Sequence, residues 1–251
     1  MLPATPTEFE PAAAVVPPAA PPARRRWQAW LEIALCSGYP TQLMIGAALQ
    51  DAGIAPLTAS GTLSATFVFA LSLGDTVVLI TLICWLLVRN GERPRDVFLG
   101  RRRFGEEAVV GVLSVPFVVA LVLVLSLVIR AFVPFLRNVP NNPLEGLLGT
   151  QTGLLTFLLV VIVAGGLREE LQRAFLLHRF RRDLGSAGAG LFITSIAFGL
   201  GHTLQGWDAA ILTGALGFTW GVIYLTRGSA IASIVSHSLF NTGELLRAFV
   251  R

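Results

Sequence analysis

Runs of apolar residues recur along the chain, separated by short segments that carry arginine, proline or glycine. Seven runs predict helices: Trp27–Leu49, Leu63–Val88, Ala108–Phe135, Thr152–Arg179, Ala189–Thr203, Trp207–Leu225 and Ala230–Val250. A bilayer needs roughly 20 apolar residues per helical span. The fifth run is short by that measure, so it is expected to tilt or to pack inside its neighbours. The expectation is an all-α fold, a polytopic integral membrane helix bundle with about seven transmembrane spans. Residues 1–26, rich in Pro and Ala, are expected to form a disordered cytoplasmic tail, because prolines break helices and few large apolar side chains are present. Residues 27–150 are read as N-terminal transmembrane helices and residues 151–251 as the core that carries the chemistry.

Composition agrees with the pattern. Hydrophobic residues make up 54% of the 251 and charged residues only 14%, against about 25% charge in a typical soluble domain. The net charge is +4 and the chain has no lysine. The arginines stand beside the apolar runs (Arg24–Arg26, Arg89–Arg103, Arg179–Arg182 and Arg227). This reads as positive-inside topology, with a cytoplasmic N-terminus and an external C-terminus, and not as nucleic-acid binding. The all-Arg, Ala-rich composition points to a bacterial inner (plasma) membrane. Cys36 and Cys84 both lie in apolar runs and are read as small buried hydrophobes. Gly214, Gly217 and Gly221 give the sixth run a small face for close helix packing.

The fourth run breaks the pattern. Within six residues it places Arg168, Glu169, Glu170 and Arg173. At a helix centre each such group costs about 2.5–3.5 kcal/mol, so the four together cost roughly 10 kcal/mol, of which the apolar stretch before them offsets about half. Such a turn must face a protein interior or a wet cavity and pair internally. Two more polar sets occur in apolar runs: Phe198 with His202, and His237 with Asn241, each at i,i+4 and so on one helix face. Ser195, Ser236 and Ser238 read as ordinary small polar residues, and His178 as interfacial.

A carboxylate can act as general base on water, an imidazole can orient that water or move its proton, and a second imidazole with an amide can donate to an oxyanion. The set therefore suffices for water attack on a peptide carbonyl. Two His and a Glu also make a catalytic zinc pattern; if a divalent metal is the cofactor, its ligands are Glu169, His202 and His237.

In order, "EELQR" (Glu169, Glu170, Arg173), "FGLGH" (Phe198, His202) and "HSLFN" (His237, Asn241) resemble the motifs of the Abi family, also called CPBP, of intramembrane proteases, which includes the prenyl-protein (CAAX) endopeptidases of the Ras-converting type. The resemblance covers about Gln151–Arg251. It implies an intramembrane endopeptidase acting on a membrane-associated peptide or protein substrate, with membrane lipids as surroundings. The first Glu would activate water with help from His202, and His237 with Asn241 would hold the oxyanion. The alternative is a catalytically silent membrane scaffold or bacteriocin-immunity-type protein on the same fold. The family spacing is E-E-x-x-x-R, whereas here it is E-E-x-x-R. The shortening puts Glu169 at i,i+4 and Glu170 at i,i+3 from Arg173, so both carboxylates stand as candidates for the base, Glu169 first on motif order.

Overall fold

The computed structural model describes residues 23–140, 142–148 and 151–250. The described residues are helical, without a β-strand; one isolated bridge joins Leu57 and Leu63. Most of the expected Pro/Ala-rich tail lies outside the described residues.

The first expected span is not one helix. It is divided into α1 (Ala23–Leu35) and α2 (Tyr39–Asp51). The break has a local cause: Gly38 adopts φ 89°, a backbone that side-chain-bearing residues rarely take, and Pro40 then opens α2. Helix α1 also begins at Ala23, ahead of the boundary expected at Trp27. α3 (Ala65–Arg89) follows, capped by the Ser64 hydroxyl accepting from the Phe67 amide. The short α4 (Pro94–Phe98) leads to α5 (Phe104–Phe132), which carries many exposed apolar side chains.

The fourth run forms one long rod with three parts. α6 (Gln151–Val160) passes into a π-helical stretch, Val161–Arg168, and then into α7 (Glu169–Arg182). α8 (Ala187–Leu200), α9 (Trp207–Arg227) and α10 (Ile231–Phe249) complete the bundle. Among the described residues three helices, α3, α5 and α9, are long and apolar enough to cross a membrane, against the about seven spans expected. α8 is apolar but only 14 residues long, and it packs against α7 and α9, as its length predicted.

Close approach between helices uses the small faces. A Cβ on Gly199 of α8 would stand 3.2 Å from the Cα of Gly214 on α9, so these two backbones touch directly. The π-helical stretch meets α10 in the same way: a Cβ on Gly166 would overlap the Ser238 hydroxyl, and one on Gly165 would stand 2.7 Å from Nδ2 of Asn241. This glycine pair therefore lets the charged turn approach the third motif.

At the arginine-rich end of α7, Arg179 is drawn into the protein. It is 1% exposed and pairs with Glu32 of α1 (2.6 Å) and Glu92 (2.7 Å). Glu92 also binds His178 Nε2 at 2.7 Å and pairs with Arg182. The loop before α4 is thereby tied to the ends of α1 and α7. Burial alone would raise the Glu92 carboxyl, but hydrogen bonds from His178 and Arg179 outweigh it and hold the group down at about 2.

Candidate active site

The three motifs converge on one place. Glu170 is buried, and its carboxylate pairs with Arg173 one turn along α7 and accepts from His237 Nδ1 of α10 at 2.8 Å. Since a carboxylate only accepts, His237 carries a proton on Nδ1. The imidazole is further fixed by stacking on Trp220 of α9, with ring centres 3.7 Å apart and planes 15° apart. Trp220 is held by its own indole N–H, which donates to the Ser236 hydroxyl at 3.1 Å. Arg173 lies over the Phe198 ring at 4.6 Å and within 5.9 Å of the Trp220 ring. Phe198 thus serves as an aromatic floor for the guanidinium, which also satisfies the cation by its quadrupole.

Glu169 is directed elsewhere. A residue further along an α-helix points about 100° away, so while Glu170 faces α9 and α10, Glu169 faces a cavity and remains 16% exposed. Arg168 donates to its Oε1 at 3.1 Å, and its Oε2 stands 3.8 Å from His237 Nε2. The shortened spacing is resolved by this division: Arg173 takes the i,i+3 partner, Glu170, and leaves Glu169 unpaired with it.

His202 follows the last turn of α8, next to Gly201. Its Nδ1 bonds the Phe198 carbonyl at 2.8 Å. A carbonyl can only accept, so Nδ1 bears the proton and Nε2 is the nitrogen left for chemistry. Its ring meets Phe198 edge-to-face at 4.9 Å.

Two cavities meet at this point. One, about 380 Å³, lies against α1–α3 and includes Gly38, Tyr39, Gln42, Asp75 and Gln172 in its wall. The other, about 460 Å³, lies towards α9 and α10 and includes Trp220, His237, Phe240 and Asn241. Arg168, Glu169, Phe198 and His202 line both. Every residue expected from the sequence borders or directly supports this junction.

Residues 150–243 match the family described as Rce1-like, Type II CAAX prenyl endopeptidase Rce1-like. At family level the match supports a CPBP-type intramembrane protease, and together with the apolar helices it supports an integral membrane protein. No curated protein and no solved structure matches the chain.

Two polar residues of this site carry no motif. Arg168 reads from the sequence only as a charge, without a partner. Asp75, 1% exposed in the middle of α3, belongs to none of the three motifs, although a lone carboxylate inside a 25-residue apolar helix is itself a signal. A metal on Glu169, His202 and His237 fits poorly: the Arg168 guanidinium already bonds the Glu169 carboxylate, and among the described residues no three His, Cys, Asp or Glu groups are arranged to hold an ion. No step is derived through a metal.

Proposed function

We propose that the chain is an intramembrane endopeptidase that hydrolyses a peptide bond with water activated by Glu169. The observation that carries this reading is the division of labour between adjacent carboxylates: Glu170 is consumed by Arg173 and His237, while Glu169 is presented at the junction of two cavities. A peptide lying across the junction would place its scissile carbonyl between Glu169 and α10. Glu169 Oε2 takes a proton from water as the oxygen attacks the carbonyl carbon, while the His202 Nε2 lone pair accepts a hydrogen bond from the same water and orients it. As the tetrahedral intermediate collapses, the C–N bond breaks and the proton held by Glu169 passes, by way of His202 Nε2, to the leaving amine, which returns Glu169 to the carboxylate. The developing oxyanion meets the Asn241 amide, whose backbone approach is set by Gly165. It also meets His237 Nε2 whenever that ring is an imidazolium. Arg173, Phe198 and Trp220 hold Glu170 and His237 in position. The substrate class is a membrane-associated peptide, reached from lipid and stretched through both cavities. We propose a bacterial plasma membrane as its location, with the N-terminus in the cytoplasm, a reading supported by the arginine distribution and the composition.

The test is cleavage in proteoliposomes. Purified protein is reconstituted with membrane-embedded peptides in H₂¹⁸O, with and without chelator, and products are read by mass spectrometry. The proposal expects internal cleavage, ¹⁸O in the new carboxylate and no effect of chelator. Intact peptides throughout would assign the fold to a silent scaffold, and loss of cleavage with chelator would replace the carboxylate mechanism by a metal one.

A further inference from the structure

The family match begins at residue 150, yet the site has a polar anchor far upstream. Asp75, near the middle of α3, accepts from Thr41 and from Gln42 Nε2 (3.3 Å), both on α2, and pairs with Arg168 Nη1 at 3.1 Å. The other arm of the same guanidinium, Nη2, donates to Glu169 at 3.1 Å. Arg168 is 7% exposed and its Nε returns to the Ala164 carbonyl at 3.3 Å, within the π-helical stretch. Gln172 approaches Nη1 at 3.4 Å and itself donates to the Cys36 carbonyl at the α1–α2 break.

We infer that Asp75 is a positioning residue for the reaction: through Arg168 it fixes the orientation of the Glu169 carboxylate and keeps one of its oxygens available for water. The inference rests on the proposed peptidase reading. Its physical content is the sharing of a cation. A guanidinium is a planar fork that binds a carboxylate best with two parallel N–H···O bonds. Between two carboxylates it can give one arm to each. Asp75 is the more deeply buried of the two and is locked by Thr41 and Gln42, so it holds Nη1 and leaves only Nη2 for Glu169. Glu169 Oε2 stays outside that bond, facing His237 Nε2. Without the negative charge on α3, the fork is free to close on Glu169 with both arms. Both oxygens would then be occupied and the carboxylate turned from the junction. The N-terminal helices α2 and α3 thereby acquire a part in catalysis that the matched domain does not contain.

The direct test compares Asp75→Asn with wild type in proteoliposomes carrying a peptide that the wild type cleaves. A misplacement of about 1 Å can cost 10²-fold, so kcat should fall by about 10–100-fold while KM stays within about twofold. Asp75→Glu, which restores the charge, should recover part of the loss. The double variant Asp75→Asn/Arg168→Gln should be no slower than Arg168→Gln alone, because Asp75 acts only through Arg168. Since this pair removes both charges, it also keeps the test alive should Asp75→Asn fail to fold. Additive losses, or a loss carried wholly by KM, would overturn the inference. A second readout does not need turnover: modification of Glu169 by dicyclohexylcarbodiimide, followed by mass spectrometry. Asp75→Asn should slow that reaction by about twofold or more, because a guanidinium bonded to both oxygens shields the carboxylate in a pair roughly twice as strong as a neutral bond, and Asp75→Glu should restore it. An unchanged rate would refute the positioning role even if peptide cleavage is observed. A slowed rate in a protein that cleaves nothing would retain the Asp75–Arg168–Glu169 link and reject the peptidase reading.

Discussion

Replacing Glu170 by Gln should damage the fold far more than replacing Glu169, although the two are neighbours with the same side chain. The Glu170 side chain is fully buried and that of its partner Arg173 only 4% exposed. Removing one member of a buried ion pair leaves an uncompensated charge and typically costs about 3–5 kcal/mol. The Gln amide oxygen can still accept from Arg173, which recovers about 1 kcal/mol. The Phe198 and Trp220 faces already hold the guanidinium in both proteins and so add little to the difference. A cost of about 2–4 kcal/mol remains, which for a chain of this size lowers Tm by about 4–16 °C. Glu169→Gln leaves the buried Arg168 paired with Asp75 and bonded to Gln172, and the Gln carbonyl can still accept from Nη2, so the cation keeps a carboxylate partner and the cost should be about 1 kcal/mol, that of one weakened hydrogen bond. The assay is thermal unfolding in detergent followed by a thiol-reactive dye, for which Cys36, fully buried and free, is a built-in reporter. Equal melting of Glu170→Gln and wild type, or a larger drop for Glu169→Gln, would refute the assignment of structural and chemical roles.

Other outcomes follow from the same geometry. Asn241→Ala should lower kcat by about 10²-fold with little change in KM, as expected for a donor that acts on charge present only in the transition state; steady-state kinetics on a cleaved peptide checks this. Gly166→Ala should destabilise the protein by about 1–3 kcal/mol, the usual cost of overpacking, because the new methyl overlaps Ser238; Gly166→Ala/Ser238→Gly should recover most of it in the same melting assay. Glu92, with its carboxyl depressed to about 2, contributes stability that is full above the unfolded carboxyl value and is lost as pH falls through the folded one. The Tm difference between wild type and Glu92→Gln should therefore shrink as pH is lowered from about 5 towards 2; a constant difference would remove Glu92 from the ledger of acid-sensitive contacts. Reporter fusions after Arg103 and Arg227 should both report cytoplasm, as the arginine distribution requires, and an external signal at either would reverse the proposed orientation.

Much of the site was legible because its chemistry conflicts with its surroundings. Charges in a helix otherwise made of Leu, Val and Ile need partners, and i,i+4 spacing names the faces on which Phe198 and His202, and His237 and Asn241, must lie. The roles of the two glutamates were not legible. Spacing alone allowed Arg173 to meet either, and the outcome was decided by Trp220 and His237, which arrive from α9 and α10 and receive Glu170. Hydropathy also could not show the break at Gly38, because an apolar run looks the same with or without a left-handed glycine within it. The burial of Arg179 was hidden for a similar reason: its partners, Glu32 and Glu92, lie far away in the chain. Asp75 was visible throughout, but its meaning required Arg168 to be seen beside it.

The claim at the centre is that Glu169 is the base in an intramembrane hydrolysis. It is tested most directly by single-turnover cleavage of a membrane-embedded peptide by wild type and Glu169→Gln in matched proteoliposomes, with Tm recorded on the same preparations. General-base catalysis contributes about 10²–10⁴-fold, so the account predicts a loss of that size with Tm nearly unchanged. Cleavage by Glu169→Gln at the wild-type rate would contradict it.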